Sequence, residues 1–353
     1  MKSIVLEYRI ERMKRICFGY RRWWWGVCLL LLSPAVFAQK GVKTDAKVDY
    51  LYLESQRQLL ARNLDAAYDL LMECKQLNPN HAAVLYSLSL FNLSLQYDSV
   101  ATADMQRAVA LVPDNYWYQD LLVKAHFTGH RPAEGIKVLE GIHSRWTDKT
   151  EPLYMLIDAY ASQNMTDSLL HALEQLEVKE GKSEQITLEK VQVYVQRNEV
   201  KPMLDELLDW LKVNPNSDLP VDLLPRLLSK KEDAYMLLGD MYHEVGNVDK
   251  AFLCYDSCLV YNPDEPVVLN NYAYYLSLLQ RNLDAAERMS RRSNELSPDN
   301  PTYLDTLAWV LFQQGRYAEA KEVMDRAVLL MKPEDKSADV EDHIRQINEK
   351  VVP

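Results

Sequence analysis

The sequence predicts an all-α fold, a solenoid of stacked helical hairpins, and three observations carry that prediction. Prolines recur on a period of 34 residues: Pro79, Pro113 and Pro215 stand one and then three periods apart, and Pro263 and Pro298 take the same place in two later units. A fixed period of that length marks an array of helix pairs. Large apolar residues within each period stand three and four apart, which puts one apolar stripe on each helix. No β-type alternation persists along the chain. With 48% hydrophobic residues, 10 glycines and 15 prolines among 353, the chain is neither disordered nor fibrous.

Setting the proline at position 32 of a unit places the first five starts at Val48, Ala82, Tyr116, Thr150 and Glu184; three more units start at Glu232, Pro266 and Pro301, the seventh with one extra residue, so that Ala286 and Pro298 arrive one step late. The sixth unit reads Tyr235-x-x-Leu238-Gly239-x-x-Tyr242, then Ala251, Tyr255, Cys258 and Pro263. The eighth reads Leu304-x-x-Leu307-Ala308-x-x-Leu311, with Gly315-Arg316-Tyr317 at the turn and then Ala320, Met324 and Ala327. Small residues such as Ala67, Ala101, Ala251, Ala286 and Ala320 allow two helices to approach closely. Gly246-Asn247, Gly315-Arg316 and Arg62-Asn63 fall where the chain must reverse. The proline then ends the second helix, having no N–H to offer it. Units three to five are weaker, with Gly135 in place of the alanine and Thr147 and Gly181 in place of prolines.

This pattern, over residues 48–334, resembles the tetratricopeptide repeat, W-x2-L-G-x2-Y followed by A-x3-F and P. The resemblance implies a right-handed superhelical solenoid of about eight hairpins that binds polypeptides and carries out no chemistry.

The elements follow in order. In residues 1–38, Arg9, Arg12, Lys14, Arg15, Arg21 and Arg22 precede the apolar run Trp23 to Leu32 and the small-residue ending Ala35-Val36-Phe37-Ala38. That is the layout of a secretory signal peptide cleaved after Ala38, with Met1 or Met13 as its start. An uncleaved anchor is the alternative, against which the run is short of the ~20 residues a spanning helix needs. Residues 39–47 are a polar lead-in, units one to five occupy 48–217, and a connector with Pro220 and Pro225 fills 218–231. Units six to eight occupy 232–334. The tail, 335–353, is read as a capping helix, because a solenoid otherwise exposes the apolar side of its last repeat.

Composition narrows the partner. The formal charge is −11, and removing residues 1–38 takes away seven basic and two acidic residues and leaves −16. An acidic chain without a basic cluster argues against nucleic acid and against an anionic membrane surface, so membrane contact is expected only through an uncleaved leader. No phosphate loop, nucleophile elbow or zinc-protease motif occurs, so no catalytic residue, cofactor or metal is expected. His126 and His130 are four apart but straddle an expected turn. Cys254 and Cys258 lack a third ligand beside them. Cys74, Cys254 and Cys258 read as packing residues.

The resemblance also implies where a partner would lie. In such arrays positions 2, 5 and 9 of the first helix face the ligand. Carried onto this chain they give Tyr52, Tyr86, Trp117, Tyr154, Asp158, Asp240, Asn270, Tyr274, Asp305 and Trp309. The lysine, arginine and asparagine set that grips a terminal carboxylate is absent. The aromatics and acids suit an apolar or basic protein segment, or else they pack between helices. The expected role is a scaffold of the bacterial envelope, in the periplasm or on the periplasmic side of the outer membrane. An accessory subunit recruiting substrate for a separately encoded enzyme is the alternative.

Overall fold

A computed structural model describes residues 44–333 and 336–351; the expected leader lies outside them. Among the described residues there are eighteen α-helices and no strand. The chain divides into two compact units at Gly181 and Lys182. The first holds four hairpins: α1 (Thr44–Leu60) with α2 (Leu64–Leu77), α3 (Ala82–Ser94) with α4 (Asp98–Leu111), α5 (Tyr116–Thr128) with α6 (Pro132–Arg145), and α7 (Glu151–Ser162) with α8 (Thr166–Glu180). The second opens with α9 (Glu184–Arg197) and α10 (Val200–Val213), followed by the short α11 (Leu219–Leu227). Three further hairpins are α12 (Lys231–Glu244) with α13 (Val248–Tyr261), α14 (Pro266–Leu278) with α15 (Leu283–Leu296), and α16 (Pro301–Gln313) with α17 (Tyr317–Leu330). Helix α18 (Ala338–Val351) ends the chain.

One backbone device closes every hairpin. Arg62, Gln96, His130, Asn164, Asn198, Gly246, Gln280 and Gly315 all have positive φ, and each is the fifteenth residue of its unit. The following N–H bonds the carbonyl five residues back, as from Tyr97 to Asn92 at 2.7 Å and from Arg316 to Leu311 at 3.0 Å. This is a Schellman ending, which satisfies carbonyls that the helix terminus leaves open. Only two of the eight positions carry glycine, so six units accept a left-handed residue with a side chain because the hairpin requires it.

Packing follows from residue size. Ala67, Ala101, Ala251, Ala286 and Ala320 are fully buried. At the equivalent place in the third hairpin, a Cβ on Gly135 would come within 3.0 Å of the Phe127 ring, so the missing methyl makes room for that ring. Cys74 and Cys258 are buried at matching places, and their thiols point to the carbonyls of Val48 and Glu232, 26 residues earlier.

In the second unit, Ser217 organises the connector. Its carbonyl accepts the Tyr242 hydroxyl at 2.6 Å and Lys250 Nζ at 3.3 Å, while its Oγ accepts Trp210 Nε1 at 2.7 Å. Helix α11, which contains Pro225, packs Leu219 and Leu224 into the core shared with α12 and α13. At the far end, α18 inserts Ile347 among Leu304, Leu307 and Leu311 of α16 and Ala320, Met324 and Ala327 of α17.

Candidate functional site

In the first unit, the first helices of successive hairpins bring tyrosines together. Tyr52 of α1 lies 5.6 Å from the ring of His81, which caps the N-terminus of α3. Tyr86 of α3 sits 5.2 Å from Tyr118 of α5. Tyr52 and Tyr86 are close enough to Tyr118 that, after burial itself, they help push its phenol up to about 12. Burial likewise raises Tyr86, with Asp120 and Tyr52 adding to it. All three tyrosines are half-buried, their rings resting on the hydrophobic core and their edges open. None of the three hydroxyls makes a hydrogen bond among the described residues. Exposed Leu90 follows Tyr86 by one turn, and Asp120 pairs with Lys124 at 2.6 Å. The strip thus offers rings, free hydroxyls and one ion pair, a surface suited to side chains and peptide groups together.

The strip continues unevenly. Trp117 is exposed and packs edge-on against Tyr116, whose other neighbour is Trp146. Lys149 and Arg145 lie over Tyr116 and Trp146. The Tyr154 hydroxyl donates to Glu180, and that bond, with burial, moves the phenol up to about 12. Asp158 is half-buried one turn beyond.

The second unit differs. Asp240 accepts the Tyr255 hydroxyl at 2.6 Å and the Asn271 amide at 3.4 Å, and burial together with Asp240 drives the Tyr255 phenol far upward. Asn270 is buried. Asp305 and Trp309 are buried beside α18: His343 sets Nδ1 3.1 and 3.2 Å from the two Asp305 oxygens, and its ring stacks on Trp309 at 4.0 Å. Tyr274 meets the same imidazole edge-on at 5.9 Å. Placed by position as ligand-facing, Asn270, Asp305 and Trp309 are instead buried, the last two against His343 of α18.

Sequence reasoning passed over Tyr118, His81, Tyr116 and Trp146. Tyr118 stands at position 3, a place that turns toward the preceding hairpin. Its proximity to Tyr86 needs the stacking of two units to be seen. His126 is buried inside α5 and His130 lies in the turn. Among the described residues no group of three or more His, Cys, Asp or Glu is placed to hold a metal ion, and no helix is long and apolar enough to cross a membrane.

Comparison with known proteins gives the same repeat. A family model described as tetratricopeptide repeat matches residues 232–265 and 301–330, the hairpins α12/α13 and α16/α17. No match was found among the curated proteins. The chain is similar to a crystal structure of a tetratricopeptide repeat protein from Parabacteroides merdae, at 11% identity and a TM-score of 0.39, covering 75% of this chain and 99% of that one. It is also similar to a structure of MamA AMB-1, at 13% identity and a TM-score of 0.40 over 51% and 99%. A third likeness is to the TPR domain of P58(IPK), at 14% identity and a TM-score of 0.31 over 86% and 98%. Residues 232–265 and 301–330 thus match the tetratricopeptide repeat, and the left-handed turn that closes those two hairpins recurs at the fifteenth residue of every unit from Arg62 to Gly315.

Proposed function

We propose that this protein is an exported, non-catalytic scaffold of the bacterial cell envelope that binds a partner polypeptide on the face formed by the first helices of its first three hairpins. The observation that carries the reading is the strip Tyr52, Tyr86 and Tyr118, three half-buried rings with unengaged hydroxyls on successive hairpins. Rings fixed by their own packing lose little freedom on binding, which is why tyrosine recurs at recognition hot spots. The partner segment is apolar or basic, drawn by the −16 formal charge of the chain after residues 1–38. The basic, apolar and small-residue succession in those residues supports export to the periplasm or the periplasmic side of the outer membrane.

The test is capture of a stable partner from envelope extracts, compared with a Tyr52→Ala/Tyr86→Ala/Tyr118→Ala variant whose far-UV circular dichroism is unchanged. Loss of the partner with the triple variant supports the reading. Capture that is indifferent to those rings, or a catalytic turnover by the purified protein, ends it. Sequencing the N-terminus of the exported protein tests the leader, with Gln39 expected first.

A further inference from the structure

Helix α1 carries a second apolar stripe that its own hairpin leaves open. Tyr50, Leu53 and Leu60 are 66%, 67% and 62% exposed. With Arg57 they recur at intervals of three and four and so share one face of α1. The next hairpins use the equivalent places for stacking. Val84 of α3 is buried with Val48, Leu71 and Cys74 of the hairpin before it. Leu121 of α5 is buried with Leu85, Met105 and Ala108, and Tyr118 packs on the same group. The stripe on α1 is therefore a repeat-stacking surface with no repeat ahead of it among the described residues.

The other end of the chain does not supply its complement. Helix α18 turns Asp339, Glu341, Arg345, Glu349 and Lys350 to solvent, a charged face that gives a head-to-tail neighbour nothing apolar to bury. A matching surface exists on α1 itself. Asp49, which lies 3.8 Å from His81, and Arg57, which pairs with Glu54 at 2.7 Å, are each 70% exposed at the side chain and lie four residues before and four after Leu53. A two-fold axis near Leu53 sets Asp49 of one copy beside Arg57 of the other at both ends, with the helix dipoles opposed. A parallel arrangement would set Asp49 against Asp49.

We infer that α1 is a self-association surface, covered by α1 of a second copy in an antiparallel, two-fold pair. The experiment is sedimentation velocity of the full chain across the micromolar range, in which a weak, reversible pair is detected. The wild type dimerises reversibly. Leu53→Glu weakens the dimer by about 100-fold or more, a loss of the order that truncating a central anchor causes, without changing the far-UV spectrum. Asp49→Arg and Arg57→Glu each weaken it, and D49R/R57E in one chain restores it by exchanging the paired charges. A wild type that stays monomeric, a dimer indifferent to Leu53→Glu, or a double variant no stronger than the singles overturns the inference.

Discussion

The Tyr242 hydroxyl donates to the backbone carbonyl of Ser217 at 2.6 Å, in a joint where the ring itself is wholly buried. The bond ties the connector before α11 to the first helix of the following hairpin, across 25 residues of sequence. Tyr242→Phe keeps the ring and removes the donor, leaving the carbonyl with Lys250 alone. The expected cost is about 1–2 kcal/mol, the range for a buried hydrogen bond whose partner is left behind. Urea unfolding followed by circular dichroism reads it as a lower midpoint for the second unit.

The left-handed residues give a prediction of the opposite sign. Gln96 has φ 62° and Gln280 φ 52°, conformations that cost a residue with a side chain and cost glycine little. Gln96→Gly and Gln280→Gly are each expected to stabilise by about 0.5–1 kcal/mol, net of the added freedom of the unfolded chain. Gly315→Ala, at φ 79°, is expected to destabilise by about 1 kcal/mol. Melting temperatures of the three variants, measured together, decide the point.

Gly239 is held for a different reason. A Cβ there would stand 2.3 Å from the Tyr255 ring, which is fixed by its hydrogen bond to Asp240. Gly239→Ala must displace that ring, at about 1–3 kcal/mol. Near-ultraviolet circular dichroism should show the tyrosine signal altered, and chemical denaturation should show the loss.

The carboxylate of Glu287 provides a pH signature. Partial burial opposes its ionisation, but hydrogen bonds from Arg316, Arg291 and Gln314 outweigh this and take its pKa from 4.5 to about 2. A carboxylate lowered on folding contributes stability above its unfolded pKa and loses it as pH falls through the folded value. Glu287→Gln should therefore be less stable than wild type at pH 7, and the gap should close between about pH 4.5 and pH 2. Denaturation midpoints across that window test the sign.

Much of this architecture could be read from residue types alone, for reasons that differ by position. Pro79, Pro263 and the buried alanines act locally, through a missing N–H and a missing bulk, so they signal wherever they stand. Gln96, His130 and Gln280 gave no such signal, because their left-handed backbone is imposed by the hairpin and not by the side chain. The same division holds for the tyrosine strip proposed to bind. Tyr52 and Tyr86 share position 5 of their units, which the sequence alone assigns. Tyr118 became part of the strip only through contact between hairpins. The burial of Asp305 and Trp309 depends on His343, which approaches from a helix 38 residues away in sequence from Asp305.

The three described thiols follow from the same interior. Burial raises Cys74, and takes Cys254 to about 12 and Cys258 to about 11, so almost no thiolate exists at neutral pH. Alkylating reagents attack the thiolate and must wait for the interior to open. Cys74 belongs to the first unit and the other two to the second, so each half of the molecule carries its own native clock for opening, readable by mass without any engineered label.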